Sequence, residues 1–226
     1  MSRLVAWVQR LRPGVETLIV LGCGVGPFVL LSVLWYYKRR GSLVIGVSDR
    51  QLLGTIGVEV ILALVLLPLL AIRGWRLSDI TVPATFRDVP RALGIWVVAY
   101  LAYALCWYAV RIVTPGLAMN VAQTSFAGDI SSPVVALVVV LNPVFEELLF
   151  LGYIVRALER LGPVITYSTS LGLRALVHVY QGPLAVVAIV PMGLVYLYFY
   201  TKRRSIWPLI FAHAIADAVG LAFVKR

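Results

Sequence analysis

Seven apolar stretches constrain this chain before any other feature does: residues 17–37, 52–72, 92–113, 133–158, 163–180, 184–201 and 205–223, to within a few positions. Most approach or exceed the ~20 residues that a helix needs to cross the hydrocarbon core of a bilayer. They are rich in Leu, Val and Ala and lack the alternation of barrel strands, so each backbone N–H and C=O must find its partner inside a helix. The expected fold is therefore all-α, a polytopic transmembrane helical bundle of about seven spans. Composition agrees. Of 226 residues, 61% are hydrophobic and 13% charged, with a mean hydropathy of +0.94; soluble domains are about half apolar and a quarter charged. The first run, Thr17 to Tyr37, reads as a full span that is retained, being longer than the apolar region of a cleaved signal.

The net charge is +10, from 20 Lys+Arg against 10 Asp+Glu. Most of the basic residues flank the apolar runs, where they anchor helix ends and face anionic headgroups. Membrane lipids are thus the expected partner. Nucleic acid is not, because no basic patch with interleaved stacking aromatics occurs. Counted on alternate sides, the larger share of Lys and Arg falls on the amino-terminal side, although Lys38-Arg39-Arg40 opposes it; the expected orientation has a cytoplasmic amino terminus in the cell (inner) membrane. Cys23 and Cys106 lie in apolar runs without a CxxC partner and do not define a redox compartment.

Between the first two runs, the apolar piece Leu43 to Val47 is too short to span. Between the second and third, Arg73, Arg76, Asp79, Arg87, Asp88 and Arg91 suit an interfacial loop. The third connection runs from Thr114-Pro115-Gly116 to Ser131-Ser132-Pro133, where Ser-Pro signals a helix start. The chain divides into amino-terminal helices and loops, 1–132, and a helical core, 133–226, within one integrated membrane domain. No internal repeat supports a transporter built from inverted halves.

Intramembrane ionisable groups cost about 2.5–3.5 kcal/mol each on insertion scales and mark function. They concentrate in the second half of the chain. The fourth run carries Asn142-Pro143-Val144-Phe145-Glu146-Glu147-Leu148-Leu149-Phe150-Leu151-Gly152-Tyr153, the fifth Arg174 and His178, the seventh His213 and Asp217. Arg174 and His178 share a helix face at i, i+4, as do His213 and Asp217. Glu146 and Glu147 point about 100° apart, so one faces a cavity and the other a supporting partner. Carboxylates beside imidazoles suit the activation of water. Glu59, the comparable residue of the first half, reads as an interfacial or structural group. Tyr180, Tyr196, Tyr198, Tyr200 and Trp207 read as interfacial anchors, and Tyr180-Gln181-Gly182-Pro183 as a turn.

These residues resemble the CPBP family of intramembrane proteases, which groups CAAX prenyl proteases with bacteriocin-processing and self-immunity (Abi) proteins. Its pattern is Glu-Glu-x-x-x-Arg, then aromatic-x-x-x-His, then His-x-x-x-Asn or His-x-x-x-Asp, each on its own helix. Glu146-Glu147, His178 and His213-x-x-x-Asp217 match in order, over residues 133–223. Two positions differ: the family's Arg is Leu151 here, and its aromatic is Arg174. One buried cation is lost and one gained, so Arg174 is expected to replace the missing Arg as partner of Glu147.

The resemblance implies an intramembrane endopeptidase acting on a membrane-associated peptide or protein, prenylated near its carboxyl terminus in some relatives. Glu146 would be the general base, with His178 polarising the water; His213 and Asp217 would bind the oxyanion or orient the scissile carbonyl; Glu147 would support through a buried pair, with Arg174 and Tyr153 in supporting positions. Zinc held by Glu146, His178 and His213 is the alternative to a metal-free, glutamate-dependent reaction, although no His-Glu-x-x-His helix occurs. Two other functions stand beside the protease: a non-catalytic self-immunity or scaffold protein that keeps the old site, and a proton-coupled transporter.

Overall fold

The computed structural model describes residues 3–38, 44–114 and 125–222. The expectations that rest on Arg39, Arg40, Leu43, Pro115, Gly116, Lys225 and Arg226 lie outside them. A short helix α1 (Arg3–Gln9) precedes α2 (Pro13–Gly24) and α3 (Gly26–Lys38), which meet at a 40° bend. Helix α4 (Asp49–Ile72) starts where Ser48 Oγ accepts from Gln51 N–H at 3.4 Å, with Asp49 set against the positive end of the helix dipole. After the single turn α5 (Leu77–Ile80) comes α6 (Asp88–Val113), whose Asp88 accepts from the Thr85 N–H at 2.7 Å.

Helix α7 (Ser132–Glu147) begins at the Ser-Pro signal, and the Ser131 N–H donates to Asp49 Oδ1 at 2.8 Å, which ties its start to that of α4. At Leu148–Tyr153 the helix widens to a π turn and then resumes as α8 (Ile154–Leu158). Helices α9 (Pro163–Val177), α10 (Pro183–Arg203) and α11 (Trp207–Ala222) complete the bundle. Gly162 and Gly182, at φ 89° and 98°, turn the chain into α9 and α10; a side chain at either position would be strained. Two three-residue strands, β1 (Val44–Gly46) and β2 (Ser125–Ala127), pair in parallel beside this otherwise helical fold.

All seven apolar runs are helical, but about seven spans is more than these helices provide by length and composition. Among the described residues four are long and apolar enough to cross: α4, α6, α7 with its continuation to Leu161, and α10. The bent pair α2–α3 makes a fifth if it counts as one span. Helix α11 has 16 residues and α9 only 15, below the ~20 of a full crossing. The outward faces of α4 and α6 expose Ile61, Leu64, Leu101 and Leu105. This apolar surface suits lipid, and the protein is an integral membrane protein.

Helix α6 lies along α10 and α11, α11 along α7, and α7 along α4, while α9 packs on α10 and α3. Two apolar clusters result, and the π turn stands between them. Leu151 joins Ala99, Tyr196, Leu209 and Ala212 in one; Leu149, Phe150 and Tyr153 join Val20 and Leu66 in the other. The turn also comes close to α5, because a Cβ on Gly152 would stand 2.5 Å from Ile80 Cγ2.

Candidate active site

The two adjacent glutamates at the end of α7 part as their 100° offset requires. Glu147 is wholly buried and does not line the cavity; Glu146 does. Arg174, on the facing side of α9 and 2% exposed, grips Glu147 with both nitrogens: Nη1 donates to Oε1 at 2.9 Å and Nη2 to Oε2 at 2.6 Å. Such a bidentate fork is the strongest geometry available to a carboxylate. The guanidinium also sits over the rings of Phe150 and Tyr196, at 5.0 and 5.7 Å. Helix α10 can approach because Gly193 faces this point; a Cβ there would lie 2.9 Å from Leu171 Cδ2 and 3.3 Å from Arg174 Cδ. Leu151, at the position of the family's Arg, is a core residue with 1% exposure.

Helix α11 supplies His213, whose Nδ1 lies 2.7 Å from Glu147 Oε1. The carboxylate accepts there, so Nδ1 carries the proton. His213 Nε2 is 3.5 Å from Asp217 Oδ1, one turn on, and Asn142 Nδ2 donates to Asp217 Oδ2 at 3.1 Å. His178 does not lie within a transmembrane helix; it caps α9 at the start of a 3₁₀ turn, Val179–Gln181. A carbonyl can only accept, so His178 Nδ1–H donates to the Arg174 carbonyl at 2.7 Å and leaves Nε2 as an acceptor. The neighbouring Tyr180 N–H donates to Ser32 Oγ at 2.8 Å, which fastens this turn to α3.

Glu146, His178, His213 and Asp217 thus line one cavity of about 720 Å³, with Glu147 and Arg174 forming a rigid ion pair behind its wall. Glu146 Oε2 is buried without a hydrogen-bond partner, and the nearest cation, Arg174 Nη1, stands 4.0 Å away. A cavity-lining carboxylate that no hydrogen bond engages at Oε2 is suited to accept a proton. The apolar part of the lining, including Phe28, Trp35, Trp96 and Met192, suits a ligand that is itself largely apolar.

The same geometry tests the zinc ligands expected from the sequence. His178 and His213 each commit Nδ1 to the protein, and the remaining nitrogen of His213 faces Asp217. Among the described residues no three His, Cys, Asp or Glu side chains are grouped as a metal site. Glu146, His178 and His213 line the same cavity without being grouped as a metal site; an Nδ1 bonded to a carbonyl or carboxylate is itself the arrangement that zinc-bound imidazoles show.

Tyr153 is not part of this cavity. Its hydroxyl donates to Glu16 Oε1 at 3.2 Å, in a second buried cluster where Arg73 Nε at 2.6 Å and Trp75 Nε1 at 2.8 Å also donate to Glu16. Tyr196 and Tyr200, read as interfacial anchors, are buried at 1% and 0% exposure, whereas Tyr198 is exposed. Two cavity residues were missed in the sequence. Asn142 stands four residues before Glu146 and so shares its face, a signal present in the sequence. Glu59 is buried on α4 and lines the cavity, a consequence of how α4 packs on α7.

Residues 129–219 match the family model described as Rce1-like, type II CAAX prenyl endopeptidase. Comparison with curated proteins and with solved structures returned no match.

Proposed function

We propose, from the match of residues 129–219 to the Rce1-like family model of type II CAAX prenyl endopeptidases, that this protein is an endopeptidase that hydrolyses a membrane-associated peptide or protein by glutamate-activated water. The observation that carries the reading is the single cavity shared by Glu146, His178 and His213. Glu146 takes a proton from a water held between its carboxylate and His178 Nε2. The hydroxide formed attacks the scissile carbonyl, and the developing oxyanion is received by His213 in its doubly protonated form, which gives Nδ1–H to Glu147 and turns Nε2–H from Asp217 to the oxyanion. Glu147 is bound up in its ion pair and holds α7, α9 and α11 in register. The apolar lining supports a prenylated or otherwise lipophilic substrate segment. The positive-inside bias supports a cytoplasmic amino terminus in the cell membrane.

The pairing of Arg174 with Glu147 also bears on the non-catalytic alternative, which drew its support from Leu151 and Arg174. The cation is relocated, and the carboxylate it serves remains paired. In proteoliposomes with an internally quenched farnesylated CAAX peptide, Glu146→Gln should lower kcat by at least about 10²–10⁴-fold, the usual contribution of a general base, with the fold intact by circular dichroism. Cleavage by Glu146→Gln at the wild-type rate would remove the hydrolytic reading.

A further inference from the structure

Glu59, midway along α4, is a buried acid that the mechanism above does not use. It is 3% exposed, its Oε2 has no hydrogen-bond partner, and it lines the same cavity as Glu146. The titratable groups that share this cavity are Arg50 from the start of α4, Glu146 from α7, His213 and Asp217 from α11, His178 and Tyr180 from the turn after α9, and Tyr100 and Tyr103 from α6. Glu146, Asp217 and His213 are near enough to act on Glu59 electrostatically.

We propose that Glu59 is a second catalytic carboxyl: it holds the proton that the departing amine takes, opposite Glu146, which holds none. The proposal rests on the hydrolytic reading of the cavity. Its basis is the distribution of cations. Arg174 is engaged by Glu147 and stands 4.0 Å from Glu146, while His213 lies between Glu147 and Asp217. Glu59 forms no ion pair among the described residues. Arg50 lines the same cavity but forms no ion pair with Glu59; it is nine residues away on α4, about 13 Å along the axis at 1.5 Å per residue. A buried carboxyl without a counter-charge stays neutral, and two carboxyls sharing one low-dielectric cavity divide their roles between base and acid. The asymmetry of the cations assigns the base to Glu146 and the acid to Glu59.

The step balances. Water gives one proton to Glu146, and its oxygen bonds to the carbonyl carbon while the C=O π pair moves to oxygen. The tetrahedral intermediate collapses, the C–N bond breaks with its electron pair on nitrogen, and nitrogen takes the proton of Glu59. The products are a carboxylic acid and an amine, and the proton on Glu146 returns to Glu59 through cavity water. In aggregate no proton is gained or lost by the protein.

The test compares wild type, Glu146→Gln and Glu59→Gln in proteoliposomes on two probes: a farnesylated CAAX peptide and its analogue with a thioester at the scissile position. A thiolate leaves without a proton. Glu59→Gln should therefore lose about 10²–10⁴-fold in kcat on the amide at unchanged KM, and less than about tenfold on the thioester. Infrared difference spectra, read without substrate, should show a protonated-carboxyl band in wild type that Glu59→Gln lacks. Where Glu59→Gln does not fold, Glu59→Asp should shift that band. An equal loss on both probes, an undiminished amide rate, or a band indifferent to residue 59 overturns the proposal. If wild type cleaves and Glu146→Gln does not, those results sink the acid role alone; a wild type that cleaves neither probe sinks the hydrolytic reading and the acid role with it.

Discussion

Breaking the Glu147–Arg174 pair from one side should be as damaging as removing it whole. The two side chains are 0% and 2% exposed and joined at 2.9 and 2.6 Å. Arg174→Met leaves a carboxylate with only His213 beside it; Glu147→Gln leaves a guanidinium in the middle of the bundle. Uncompensated buried charges cost about 3–5 kcal/mol, and insertion scales independently price an unpaired intramembrane Arg at about 2.5–3.5 kcal/mol. Each single variant should therefore lose about 3 kcal/mol, or about 10²-fold in the unfolding equilibrium. The double variant, which buries no net charge, should lose no more than either single, so the coupling is itself about 3 kcal/mol. Equilibrium unfolding in mixed micelles, followed by tryptophan fluorescence and far-ultraviolet circular dichroism, measures all four corners of the cycle. Losses that add to within about 0.5 kcal/mol would mean independent sites, and the relocation of the family's cation from position 151 to position 174 would be refuted.

Three further outcomes follow from named contacts. Gly193→Ala should cost about 1–3 kcal/mol by overpacking α9 against α10 and should lower activity by displacing Arg174, measured by melting temperature and peptide cleavage together; a neutral variant would show that the close approach does not matter. Tyr153→Phe removes a single hydrogen bond to Glu16, so stability should fall by about 0.5–1.5 kcal/mol while kcat stays unchanged, and a loss of kcat would return Tyr153 to the site. Chelator treatment should leave cleavage unaffected, with no stoichiometric zinc in the purified protein; metal lost together with activity would return zinc to Glu146, His178 and His213.

The helical class was legible because apolar runs of bilayer length admit little else, and the i, i+4 pairs were legible because helix geometry is periodic. Even the Glu147–Arg174 pair could be anticipated, since a buried cation in lipid must find an anion. What periodicity does not carry is how one helix is placed against another. The burial of Glu59 in the cavity depends on α4 lying along α7, and Tyr153 turns to Glu16 because Trp75 and Arg73 have already gathered around that carboxylate. Span number was overread for a related reason. Apolarity continues across the Gly162 and Gly182 turns and the bend at Val25, so hydropathy does not register that α9 is short and that the first run is bent. Tyr196 and Tyr200 look like interfacial aromatics by composition, yet they pack under α6 and α11.

The π turn at Leu148–Tyr153 bears on how this chain is to be compared with its relatives. Its hydrogen bonds close one residue later than those of an α-helix, so a side chain four positions after Glu147 no longer stacks over it. Leu151 is carried instead into the cluster with Ala99, Tyr196 and Ala212. Counting residues along the motif therefore does not tell which side chain stands beside Glu147. The cation beside Glu147 comes instead from the facing helix, where the guanidinium of Arg174 stands.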